Sequence, residues 1–117
     1  MTDVTLDAIT AALTGLSARQ NVIADNTANL GTAGFLAGRV QFEDSLQQAL
    51  SSGTVGSGGT NVTPTITRSL DPTGPDGNNV SLEKETLLGI ETTLQYQLML
   101  HAADDKFAQL RDVLRGS

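Results

Sequence analysis

The sequence predicts a mainly α fold: an elongated, coiled-coil-like hairpin of N- and C-terminal helices around an irregular middle segment that is partly β or disordered. Three observations predict it. Apolar residues recur at alternating three- and four-residue steps over residues 6–30, a second helical pattern with start and stop signals covers residues 81–115, and a Gly/Ser-rich interval falls between them at 51–60.

Composition limits what such a chain can do. With 117 residues and 38% hydrophobic content, one small unit with a modest core is expected. Aromatic residues are only 3%, namely Phe35, Phe42, Tyr96 and Phe107, which suits helices packed by Leu and Ala better than a compact aromatic core. The net charge of −6 lacks the basic footprint of a nucleic-acid or anionic-membrane binder. No cysteine is present, so disulfides, thiolate metal sites and cysteine nucleophiles are all excluded. No basic stretch followed by an apolar run marks a cleavable leader, and the run Leu98-Met99-Leu100 falls far short of the roughly 20 residues that span a bilayer.

The first helix is expected over residues 4–30. Its seam reads Leu6, Ile9, Leu13, Leu16, Gln20, Ile23, Thr27 and Leu30, a heptad stripe of the kind that packs on another helix. Alanines at 8, 11, 12, 18, 24 and 28 favour helix and allow close approach. Gly31 and Gly34 bracket Thr32-Ala33 and signal the helix end and a turn.

Beyond Phe35 the pattern changes. Residues 42–50 suggest a short helix with Phe42, Leu46, Ala49 and Leu50 on one side. Residues 51–60 have a flexible-linker composition. The β-branched run 62–70 reads as a short strand or extended edge, where Pro64 argues against a central position. Turns follow over 71–79. Ser81 is the expected N-cap of the second helix, with Glu83 and Glu85 in its first turns and Arg111, Arg115 and Gly116 at its end. Two apolar stripes run along it. One is Leu87, Ile90, Leu94 and Leu98; the other, expected to neighbour it, is Tyr96, Leu100, Ala103, Phe107, Leu110 and Leu114. A hairpin buries one stripe per helix, so the spare stripe is expected to meet neighbouring subunits. The chain thus divides into residues 1–34, 35–80 and 81–117, within one structural unit.

Catalytic and ligand-binding motifs are not expected. His101 is the lone histidine, with Asp104 as its nearest potential co-ligand, which is too little for a metal site or a hydrolytic triad. The glycines at 53–59 lack the lysine of a phosphate-binding loop. Asp71, Asp76, Asn78 and Asn79 lack calcium-loop spacing, and turn chemistry accounts for them. Asn26 and Asn29, at the helix end, can cap it and bond across subunits, since an amide both donates and accepts.

The segment Ile23-Ala24-Asp25-Asn26-Thr27-Ala28-Asn29-Leu30-Gly31-Thr32-Ala33-Gly34-Phe35 resembles the signature of bacterial flagellar axial proteins. Asn26, Ala28, Asn29, Thr32, Gly34 and Phe35 fall on its characteristic positions, while Thr27, Leu30 and Ala33 depart from it. A second stretch, Asp76-Gly77-Asn78-Asn79-Val80-Ser81-Leu82-Glu83-Lys84-Glu85 with Tyr96-Gln97 and Lys106-Phe107, resembles the C-terminal half of FlgB-type proximal rod subunits. The resemblance implies a non-enzymatic structural subunit of the basal-body rod with its terminal helices side by side. It implies no cofactor, passage through the flagellar type III export apparatus, and location in the cell-envelope rod. It further implies as partners the FlgC-like and distal rod subunits, a FliE-type adapter, the MS ring and the export gate. The subunit interface is expected at Leu6, Ile9, Leu13, Leu16, Ile23, Asn26, Asn29, Thr32, Gly34, Phe35, Leu87, Leu94, Tyr96, Leu100, Phe107, Leu110 and Leu114. The alternative is a helical export adaptor or chaperone-like binding module.

Overall fold

A computed structural model describes residues 4–56 and 61–116. The chain runs α1 (Val4–Ala28), β1 (Gly38–Gln41), α2 (Glu43–Ser52), β2 (Thr65–Arg68) and α3 (Leu82–Gly116). It measures 66 × 26 × 16 Å, and the long axis is set by α3, whose 35 residues span on the order of 52 Å.

The two long helices form the expected hairpin. Asn26, near the end of α1, bonds Glu85 in the first turn of α3, while Leu16 packs with Tyr96 and Met99 further along, so the helices are antiparallel. Both rise equally per residue, which brings Val4 abreast of roughly position 107 and lets the last turns of α3 run past α1. The α3 start follows the sequence: the Lys84 backbone N–H donates to Ser81 Oγ at 3.3 Å. Its end lies at Gly116, within a residue of the expected one and with Arg115 in the last turn.

The middle segment is more ordered than its composition implies. β1 pairs antiparallel with β2, with Val40 opposite Ile66. β2 occupies the predicted extended run and is exposed throughout. β1 carries no legible strand signal: Gly38-Arg39-Val40-Gln41 holds one β-branched residue, and its conformation is imposed by tertiary bonds. The short helix forms as α2, extends through Ser52 into the stretch expected as linker, and ends on Gly53 in the left-handed conformation. Phe42 and Ala49 are buried, but Leu50 faces solvent rather than joining them. Of the remaining linker, residues 57–60 lie outside the described part, while Asn61 closes the flanking chain by accepting from the Gly56 N–H and donating to the Thr54 carbonyl.

Two small apolar clusters hold these pieces to α1. Ala11 meets Ala49 and Val62, and Leu16 meets Val40 and Phe42. The buried face of α1 is therefore wider than the predicted seam and turned toward its small residues. Ala11 and Gly15 are buried, while Thr27 and Leu30 on the seam are exposed. Gly15 is buried beneath the Phe42 ring, where a Cβ would lie 2.4 Å from ring carbons. Only hydrogen fits that contact.

Gly15→Ala is expected to force the Phe42 ring off α1 and to destabilise the fold by about 1–3 kcal/mol, the usual cost of overpacking a filled site. Chemical denaturation of the variant monitored by circular dichroism checks this.

Candidate assembly junction and surface

The hinge end of the hairpin is built from polar groups. Asn26 is fully enclosed, and its amide grips the β1 backbone as a neighbouring strand would: Oδ1 accepts from the Gly38 N–H at 2.8 Å, and Nδ2 donates to the Gly38 carbonyl at 3.0 Å. The same Nδ2 donates to Glu85 Oε1 at 2.8 Å. Glu85, 1% exposed, also receives the Arg39 fork, with Nη2 3.0 Å from Oε2 and Nη1 3.2 Å from Oε1. One carboxylate thus ties α3 to α1 and β1 together. A bidentate guanidinium and an amide meet the desolvation that burying such a charge entails.

The turns beside this junction are stitched by Asn78 and Asn79. Asn78 Nδ2 donates to the Asn29 and Thr32 carbonyls at 2.8 Å each, holding the turn after α1. Asn79 Oδ1 accepts from the Ala37 N–H at 2.7 Å, and its Nδ2 bonds the Ser69 and Asp71 carbonyls at 3.1 Å. Gly34 (φ 74°) and Gly77 (φ 81°) sit back to back in left-handed turns, and a Cβ on Gly77 would lie 3.4 Å from the Gly34 Cα. The Gly34 N–H reaches the Asp76 carbonyl at 2.9 Å. The two sequence segments singled out above, 23–35 and 76–85, therefore meet in space as one junction.

Ion pairs brace its flanks. Arg19 forks onto Glu43 at 2.7 and 2.9 Å and reaches the Val40 carbonyl at 2.6 Å. The hydrogen bond from Arg19 holds the Glu43 carboxyl below its usual range, against the opposing effect of partial burial. Lys84 bonds Asp71 at 2.6 Å and lowers its pKa in the same way. A groove of about 340 Å³ between α1, β1 and α3 is lined in part by Arg19, Arg39 and Glu43, whose charges are already engaged with one another or with Glu85. Among the described residues, no cluster of three or more His, Asp or Glu side chains is placed to hold a metal ion. No helix there is long and apolar enough to cross a membrane.

The outer surface of α3 is the reverse of a self-contained helix. Facing α1 are buried Glu85 and Thr92 with half-buried Tyr96 and Met99, whereas Leu87, Ile90, Leu94 and Leu98 on the far side are each 56–62% exposed. The two predicted stripes are thus not neighbours. Leu94 and Tyr96, two residues apart, are about 200° apart around the helix, so the stripes lie on opposite sides. Neither is fully consumed by the hairpin, since Leu100, Phe107, Leu110 and Leu114 on the inner side are also exposed.

The residues expected at a subunit interface fall into three groups. Ile9, Leu16 and Asn26 are enclosed by their own chain and leave no surface for a neighbour. Their periodicity is that of an interface because they already serve one, inside the hairpin. Leu6, Leu13, Ile23, Asn29, Phe35 and Tyr96 are half-buried, with Asn29, Thr32, Gly34 and Phe35 forming the stitched turn. Leu87, Leu94, Leu100, Phe107, Leu110 and Leu114 are exposed. Sequence reasoning missed Arg39 and the linking roles of Glu85, Asn78 and Asn79. Glu85 read as a helix-dipole charge, and nothing local distinguishes it from Glu83.

Fold and surface together define an elongated α-helical protein whose polar junction orients two long helices and whose α3 offers apolar surface on both sides. No protein-family model matches the chain. It is similar to the flagellar basal body rod protein FlgB of Aeromonas hydrophila, at 29% identity over 116 residues covering 90% of this chain and 88% of that protein. This single distant similarity suggests the flagellar rod protein family.

Replacing Glu85 with Ala is expected to leave Arg39 and the Asn26 amide without their shared acceptor and to cost about 3 kcal/mol, measurable as an earlier urea midpoint. Glu43 has a lowered pKa, so its contribution is complete above the ordinary value of 4.5 and fades as pH falls through the folded value. Because Glu43 is more than half exposed, Glu43→Gln should cost at most about 0.5 kcal/mol at neutral pH. Denaturation of the unmodified and Glu43→Gln proteins over a pH series descending from 7 should show that difference shrinking once the pH falls below 4.5.

Proposed function

We propose that this chain is a structural subunit of the proximal rod of the bacterial flagellar basal body. In this reading it assembles through its terminal helices with other rod proteins to form part of the drive shaft and the export channel within it. The observation that carries the proposal is the similarity to a rod protein over nearly the whole length of the chain. The exposed apolar surfaces of α3 support it, because a helix that leaves leucines in water on two sides gains most by being covered in an assembly. FlgC-like and distal rod subunits, a FliE-type adapter, the MS ring and the export gate would be its neighbours. Export would proceed through the flagellar type III system, and the site of action would be the cell-envelope rod. No step in this role requires catalysis or a cofactor.

Deleting the gene in its source organism should abolish swimming and remove the rod from isolated basal bodies seen by electron microscopy, with both restored by the intact chain. Complementation with Leu87→Asp plus Leu94→Asp, which alter only exposed positions, should restore the soluble protein but not the rod. Intact rods in the deletion strain would overturn the reading.

A further inference from the structure

We propose that β2 of one copy of this chain pairs with β2 of a second copy, antiparallel and centred on Thr67, so that the two hairpins join into one four-stranded sheet. This contact uses the middle segment rather than the long helices and is independent of the role proposed above. In the β1–β2 ladder Gly38 stands opposite Arg68 and Val40 opposite Ile66. In the same register the Ser69 N–H donates to the Ala37 carbonyl at 2.8 Å, which makes residues 37 and 69 a hydrogen-bonded pair. Such pairs alternate along an antiparallel ladder. Residues 39 and 67, and 41 and 65, therefore bond each other, while Gly38, Val40, Ile66 and Arg68 turn their backbone groups outward.

The outward groups meet opposite fates on the two strands. On β1 they are taken by α1: the Asn26 amide occupies both the N–H and the carbonyl of Gly38, and Arg19 bonds the Val40 carbonyl. On β2 no hydrogen-bond partner among the described residues meets the N–H or carbonyl of Ile66 or Arg68, and all four strand residues are exposed. An open row of main-chain donors and acceptors is a template for another strand.

The strand that this edge fits best is its own copy. With Thr67 on a two-fold axis, Ile66 faces Arg68 of the second copy and Arg68 faces Ile66 of the second copy, so every outward group within both strands is bonded. Centring on Ile66 instead would set Arg68 against Pro64, which has no N–H to return the bond. Centring on Arg68 would set like charges directly opposite. At Thr67 the arginines are only diagonal neighbours, and each guanidinium is drawn back over its own Phe35 ring and onto the Leu36 carbonyl. The flanking charges are paired within each copy, Arg39 with Glu85 and Asp71 with Lys84. The axis itself joins two threonines, a favourable cross-strand pair. A two-fold contact closes at two copies, and with four strand residues a side it is small, so the pair is weak in dilute solution.

The chain has no cysteine, so a single introduced thiol reports on the contact. Ile66 and Arg68 point toward the side of Gly38 and Val22, which puts the exposed Thr65 and Thr67 on the opposite face. Residues facing each other at a non-hydrogen-bonded position have Cα atoms about 4.5 Å apart, within disulfide reach. Mild oxidation of full-length Thr67→Cys should give a covalent dimer faster in buffer than in urea. Thr65→Cys, which faces Ser69 of the second copy, should cross-link no faster in buffer than in urea. Adding Ile66→Pro to Thr67→Cys removes only an outward N–H from each copy, a change that an edge strand tolerates. It should keep the helicity and slow cross-linking about 10-fold or more, because two hydrogen bonds are lost. In the unmodified chain at millimolar concentration, the amide protons of Ile66 and Arg68 should gain protection from exchange as the protein is concentrated. Equal cross-linking at positions 65 and 67, a Thr67→Cys rate unmoved by Ile66→Pro, or Ile66 and Arg68 amides that exchange alike at all concentrations would each overturn the pairing.

Discussion

Everything in this fold depends on how Glu85 is buried. A carboxylate with 1% of its surface exposed is stable only where several donors converge on it, and here they come from two other elements, Asn26 on α1 and Arg39 on β1. The carboxylate sits in the first turn of α3, where the helix dipole also favours negative charge. Because the donors have fixed directions, the hairpin can close in only one register. Apolar packing between the two helices, such as Leu16 on Tyr96 and Met99, is non-directional and sets no register by itself.

That division of labour explains the distribution of hydrophobic residues. The junction and the small-residue contacts of α1 hold the chain together with a modest apolar core, so the leucines of α3 are not needed inside. They stay outside, next to Glu83 and Glu91 on one side and Arg111 and Arg115 near the far end. Thr92, fully buried, donates its hydroxyl to the Leu88 carbonyl and so adds no demand on neighbouring elements. At Glu85 and Thr92 the inner face of α3 is satisfied polar chemistry, whereas its outer face is exposed apolar area.

Much of the fold was legible in local pattern. Helix α1, the Ser81 cap, the short helix near residue 43 and the extended run at 65–68 all follow from periodicity, capping residues and β-branched content. What stayed hidden depends on pairs distant in sequence. β1 exists because Asn26 and Asn79 bond its backbone and the residue before it, partners 12 and 42 positions away, and no window over residues 38–41 contains that information. The same holds for the site. Exposed leucines on α3 were readable as a spare stripe, but which stripe faced α1 was not, because the decisive residues on the inner face are Glu85 and Thr92 rather than hydrophobic ones. Asn26 stood out through its resemblance to a known signature, and its destination inside the chain became visible only once Glu85 and Gly38 were beside it.

The unbroken course of α3 has a mechanical consequence. α3 is held at its first turn through Glu85 and again further along where Leu16 packs on Tyr96 and Met99, and its last turns run past α1. Two fixed points on a stiff rod set its direction, so the overhang, on the order of 14 Å long, is aimed by contacts made elsewhere on the helix. The bidentate grip of Arg39, at distances near 3 Å, is part of one of those points and so bears on side chains such as Arg111 that it never touches.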